Sequence, residues 1–125
     1  MNTDEEKDPL TERVIGCAFT VANKLGYGFL EKVYENALAI ELRKAGLNVD
    51  QQKALAVKYD GVIVGDYYAD LVVNETLVVE LKSARAIDES HIAQCLNYLK
   101  AAQHRHGLIL NFSPQRVEIR RLVMG

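Results

Sequence analysis

The stretch from Tyr67 to Ala84, YYADLVVNETLVVELKSA, constrains the fold of this chain more than any other. Two alternating apolar runs flank Asn74, Glu75 and Thr76, the pattern of a β-hairpin whose side chains turn to opposite faces at every step. With Asn74–Thr76 as a three-residue loop, Asp70 lies directly opposite Glu80. A two-residue loop at Asn74-Glu75 pairs Asp70 with Val79 instead and sends the two acids to opposite faces, since a slip of one residue inverts the whole pattern. The three-residue register keeps Leu71, Val73, Leu77, Val79 and Leu81 on one face, and it is the register expected here. Glu80 and Lys82, two apart, then share the other face. Two carboxylates and an ammonium group converge on one small patch of sheet.

Two hard oxygen ligands facing each other suit Mg²⁺ or Mn²⁺, and Mg²⁺ takes only one or two protein carboxylates while keeping several waters. A lysine alongside can orient a bound water or neutralise a phosphoryl oxygen, which is what metal-assisted attack of water on a phosphodiester requires. The bland alternative is a half-exposed hairpin with solvated charges on its outer face. Spacing alone leaves both readings standing.

The rest of the chain supplies the scaffold. A first helix begins near Leu10, with Asp8 or Thr11 as its cap and Glu12 in its first turn, and runs to Leu25. Gly26-Tyr27-Gly28 breaks it. A second helix, FLEKVYENALAIELRKA, carries Leu30, Val33, Ala37, Leu38 and Leu42 at helical spacing and stops at Gly46. Asn48 to Val57 reads as a strand, Asp60-Gly61 as a tight turn, and a strand from about Val62 leads into the hairpin, with a bulge at Gly65-Asp66. A third helix, HIAQCLNYLKAAQ, is capped by Asp88 or Ser90. GLILNFS then reads as a buried strand and RVEIRRLV as an alternating edge strand, with Pro114 in the turn between them. The order ααβββαββ is that of an α/β domain, a mixed sheet flanked by helices.

Asp70 followed after a hairpin by Glu80-Leu81-Lys82 resembles the PD-(D/E)XK nuclease superfamily, although Ala69 stands where a proline often precedes the Asp. Gly28-Phe29-Leu30-Glu31-Lys32-Val33-Tyr34 matches the pattern for which the GxxExxY family of small prokaryotic proteins is named. The resemblance runs from about Leu10 to about Val123. A histidine frequent in the helix before the Gly is replaced by Ala22, and a frequent proline by Tyr27, so no role is carried over to those positions. The resemblance implies a restriction-endonuclease-like core and a Mg²⁺- or Mn²⁺-dependent nuclease. Asp70 and Glu80 would bind the metal, joined by the Leu81 carbonyl, and Lys82 would serve the attacking water. Glu31 would be a third acid, direct or through water. Tyr34 would position Glu31, meet substrate, or be a core aromatic. Gln94 and Tyr98 resemble the QxxxY motif of exonuclease-type members, where such residues position metal-site groups or substrate phosphate. His91 shares their helix face, and Lys58, Lys100 and Arg105 are cationic candidates for phosphate.

At 125 residues the chain is expected to be one domain, 1–125, with 1–9 a frayed lead-in. It is 49% hydrophobic and 26% charged, ordinary for a globular protein. No apolar run of about 18 residues is present, so no membrane helix is expected, and the acidic MNTDEEKDP does not suit a signal peptide. Cys17 and Cys95, with no CxxC pair, read as buried free thiols of a reducing cytoplasm. His91, His104 and His106 do not complete a zinc site with them. The net charge of −2 sits awkwardly with a tight non-specific nucleic-acid binder. Nucleic acid, DNA before RNA, is nonetheless the expected partner, with a homodimer admitted but demanded by no residue. The competing reading is a non-catalytic nucleic-acid-binding or protein-interaction module on the same fold. A hydrolase of other phosphoesters using the same patch is a third.

Overall fold

The computed structural model describes residues 2–3 and 8–124. Nine elements follow in order: β1 (Asn2–Thr3), α1 (Pro9–Leu25), α2 (Glu31–Lys44), β2 (Val49–Tyr59), β3 (Val62–Val73), β4 (Leu77–Lys82), α3 (Glu89–Ala102), β5 (His106–Phe112) and β6 (Val117–Val123). The strands form one mixed sheet in the order β1-β6-β5-β4-β3-β2. Only β4 and β5 run parallel, joined by the crossover through α3; the other neighbours are antiparallel. This is the α/β architecture expected, with one correction. RVEIRRLV is not the outermost strand, because Asn2–Thr3 pairs with Val123 and Leu122. The backbone of those two residues is therefore not a frayed lead-in; residues 1 and 4–7 lie outside the described residues.

Local chemistry sets the helix ends. Asp8 caps α1 by accepting the Thr11 amide at 3.0 Å, Pro9 takes a first-turn position that needs no N–H, and Glu12 sits near the positive helix end. Asp88, not Ser90, caps α3: it accepts the His91 amide at 3.1 Å, while His91 Nδ1 accepts the Asp88 amide at 3.3 Å. α2 begins at Glu31, two residues later than the apolar pattern suggested, because Gly26 and Gly28 adopt positive φ (77° and 107°) and the loop stays extended to Leu30.

The sheet is covered on both faces. α1 and α2 pack over Leu71, Val73, Leu77, Val79, Leu81, Leu108 and Leu110. α3 covers the other face with Cys95 and Leu99 against Ala69, Val72, Val78, Ile109 and Leu122. The central parallel pair β4/β5 is accordingly buried on both sides, and apolar but for Glu80, Lys82 and Asn111 along its buried length. Asp60 and Gly61, at φ 51° and 77°, make the expected two-residue turn, and the register shift at Val57/Lys58 falls opposite Gly65, where a bulge was expected. The far end of this β2–β3 arm leaves Tyr59, Val62, Ile63 and Val64 exposed.

Candidate functional site

The hairpin takes the three-residue register: Leu71 pairs with Val79, Val72 with Val78 and Val73 with Leu77. One step beyond Leu71, the ladder between β3 and β4 gives way to side chains. Asp70 Oδ2 accepts the Leu81 amide at 2.8 Å, and Glu80 accepts the Asp70 amide at 3.3 Å. Each acid is thus pinned by the backbone beside the other. Glu80 is 8% exposed, which excludes the reading of a solvated outer face at this position. Burial first, and then the neighbouring Asp70 charge, push its carboxyl up to about 7. Lys82 is half-buried and its charge favours ionised Glu80. Its ammonium makes no hydrogen bond or ion pair among the described residues, so its protons are available to a ligand.

A buried carboxyl held beside a second carboxylate, with its ionisation opposed, is a site short of positive charge. Two facing carboxylates form a donor set of the kind that Mg²⁺ or Mn²⁺ accepts, so the chemistry of the residues present fits a divalent cation. The Leu81 carbonyl belongs to the same strand segment between Glu80 and Lys82. For Glu31 the expectation is a direct or a water-mediated contact with the ion. Its Oε2 accepts the Ser83 amide at 3.3 Å from an exposed position, and no cluster of three His, Cys, Asp or Glu residues able to share an ion exists among the described residues. Glu35, one turn further along α2, is the glutamate that turns inward. It is 3% exposed, paired with Lys32 at 3.3 Å, and accepts the side-chain amides of Gln51 and Gln52. Helical spacing puts Glu31 and Glu35 on one face without saying which meets the sheet.

On the opposite face Tyr98 stacks on Tyr67, ring centroids 3.7 Å apart, and the Tyr67 hydroxyl lies near enough to Glu80 to favour its ionised form. Burial and the Glu80 charge drive the Tyr67 hydroxyl far up, so it stays a donor. Tyr98 therefore bears on the site through Tyr67, a residue that sequence reading missed although it lies three positions before Asp70. Gln94 is exposed and lines, with Ser90, Asn97 and Tyr98, a groove of about 670 Å³ between α3 and Val57 of β2. His91 is occupied as the capping partner of Asp88. The Cys95 thiol, pushed up to about 12 by burial and then by Glu80, is unreactive at neutral pH. Cys17 is also a free thiol but is only half-buried.

Tyr34 needs a second correction. It is fully buried, stacked on Phe112 at 4.1 Å, and donates its hydroxyl to the Gly26 carbonyl at 2.8 Å while accepting the Phe29 amide at 3.3 Å. It ties the α1–α2 loop to the core and does not present itself to substrate. Gly28 serves that same loop through its positive φ. A further unforeseen anchor is Asn111 on β5, fully buried, which bonds both the amide and carbonyl of Ala84 and so fixes the loop that leaves Lys82. Among the candidate phosphate contacts, Arg105 donates to the Met124 carbonyl. No helix among the described residues is long and apolar enough to cross a membrane.

Comparison with known proteins gives a family model described as the PD-(D/E)XK nuclease superfamily, matching residues 8–122. Among solved structures, an alkaline exonuclease from Laribacter hongkongensis superposes with a TM-score of 0.48 at 10% identity, covering 95% of this chain and 73% of that one. Nothing among the curated proteins matches.

Proposed function

Because this chain belongs to the PD-(D/E)XK nuclease superfamily, we propose that it is a Mg²⁺- or Mn²⁺-dependent phosphodiesterase of nucleic acid, acting on DNA in preference to RNA, in the cytoplasm, and that it is a member of the GxxExxY family. The observation that carries this reading is the pairing of Asp70 with buried Glu80, each fixed by the other's strand, with the Lys82 amine alongside. Asp70 and Glu80 would hold the cation together with the Leu81 carbonyl, with Glu31 contributing through water. The cation, when bound, supplies Lewis acidity to the phosphodiester and its attacking water. Lys82 orients that water and offers positive charge to the phosphoryl oxygen. Tyr67 holds Glu80 in place, Tyr98 backs Tyr67, and the groove that Gln94 and Tyr98 line receives the nucleic-acid strand. Two copies flanking a duplex would supply a site for each strand, which sedimentation in the presence of DNA reports.

Thermal stabilisation by metal tests the site, because a ligand that binds only the native state raises stability with its concentration. Millimolar Mn²⁺ should raise the melting temperature of the wild type and leave Asp70→Ala unmoved. Cleavage of labelled DNA, RNA and small phosphoesters then separates a nuclease from a hydrolase of other esters. The non-catalytic module is favoured by one observation, that Glu31 stands apart from the acid pair. A metal shift absent from both proteins would establish that second reading in place of the first.

A further inference from the structure

Gln52 is the one residue within the body of β2 with a positive φ, 52°, and it sits opposite Asp70. Pairing between β2 and β3 is regular on either side, Gln51 with Leu71 and Lys53 with Ala69, and is interrupted at Gln52/Asp70. Neighbouring residues of a strand point to opposite faces. Here they do not: Gln51 Nε2 donates to Glu35 Oε2 at 2.8 Å and Gln52 Nε2 donates to Glu35 Oε1 at 3.0 Å. The left-handed turn at Gln52 is what brings both amides to the same buried carboxylate. The break also reverses the alternation along β3, so that Tyr67 and Ala69 face α3 whereas Leu71 and Val73 face α1 and α2.

The second N–H of the Gln52 amide is spent on Asp70 Oδ1, at 3.2 Å. Both neighbours of this amide are carboxylates, which only accept, so the nitrogen must lie between them. Left-handed backbone is unfavourable for a residue with a Cβ and is retained where the surroundings over-determine it, commonly beside functional groups. The chemistry of the bridge is specific. An arginine or lysine here would hold Asp70 and also cancel its charge. A neutral amide holds the carboxylate and leaves the charge for something else. Lys32, 3.3 Å from both Glu35 oxygens, balances the far end of the bridge only.

We propose that Gln52, locked by Glu35, is a positioning residue for the metal site: it fixes the Asp70 carboxylate by a neutral bridge, turned toward Glu80 and still charged for a divalent cation. This rests on the reading of Asp70 and Glu80 as metal ligands. Groups that orient a metal ligand from behind are worth tenfold to a hundredfold in affinity.

The test is Mn²⁺ binding, followed by the paramagnetic resonance of free Mn²⁺, together with metal-free melting. Gln52→Asn keeps an amide and tolerates left-handed backbone but is too short to span both carboxylates. It should bind Mn²⁺ about tenfold more weakly with little change in melting temperature, a combination that a merely structural residue would not give. Gln52→Gly, which relaxes the backbone and removes the amide, should show the same weakening and covers the case in which the Asn variant folds poorly. Glu35→Gln should also weaken binding, and adding it to Gln52→Asn should cost nothing more, because the two act as one unit. Wild-type affinity in both Gln52 variants, or additive losses in the double variant, overturns the inference. A wild type that fails to bind Mn²⁺ at all overturns the metal reading itself, and this inference falls with it.

Discussion

The raised carboxyl of Glu80 makes the metal-free protein sensitive to pH in a calculable way. Its folded value of about 7 lies above the ordinary 4.5, so the native state keeps a proton that the unfolded chain releases. Stability from this group is complete below about pH 4.5 and is lost as pH rises through about 7. A rise of roughly 2.5 pH units, at about 1.4 kcal/mol each, amounts to on the order of 3 kcal/mol. For a chain of this size that corresponds to roughly 10 °C of melting temperature. Glu80→Gln removes the titration while keeping an oxygen to accept the Asp70 amide. The assay is thermal unfolding by circular dichroism in chelator, wild type against Glu80→Gln, from pH 4.5 to pH 8. The variant should gain on the wild type progressively across that window. Mn²⁺ at pH 8 should recover much of the wild-type deficit, because the cation favours the ionised form. A stability difference that stays constant with pH would show that Glu80 is not under the burial and charge pressure described, and the argument for a site short of positive charge would go with it.

Three further outcomes are expected. Lys82→Ala should lower turnover at least about a hundredfold, the scale of a lost proton-handling group, while Mn²⁺ affinity holds; undiminished turnover would remove the lysine from the reaction. Tyr34→Phe leaves the partly buried Gly26 carbonyl without its donor and should cost about 1 kcal/mol in urea unfolding, whereas an unchanged midpoint would mean the hydroxyl does not anchor the loop. Gly107→Ala places a Cβ 2.7 Å from Leu99 Cδ1, at a leucine that is already buried, and should cost about 1–3 kcal/mol as overpacking; calorimetry showing no loss would mean α3 yields freely there.

The hairpin was legible in the sequence because five apolar residues can share one face in only one register, and burial of that face enforces it. Helix ends were legible to within a residue or two, since Asp8, Asp88 and the Gly26–Gly28 break act within their own turns. Glu31, Glu35, Gln52 and Tyr34 were not legible in the same way. Glu31 and Glu35 lie one turn apart, and the roll of α2 against the sheet, set by Leu38 and Leu42 in the core, turns Glu35 inward and leaves Glu31 exposed. The left-handed backbone of Gln52 has no local cause, since glutamine has no special preference for it; it follows from a carboxylate delivered by a helix more than fifteen positions earlier. Tyr34 belongs to a motif that carries a functional expectation, yet the loop it closes takes its hydroxyl for the fold.

The sequence by itself determined the order of elements, the pairing of Asp70 with Glu80 and the side of the strand that Lys82 shares, because each depends on periodicity or on a turn a few residues long. Only the tertiary structure decided that α3 buries Glu80, that Tyr67 and Tyr98 back it, and that Gln52 ties Asp70 to Glu35 rather than Glu31 joining the pair. Those relations arise where separate elements meet, and the desolvation and charge that define the site exist only once they have packed.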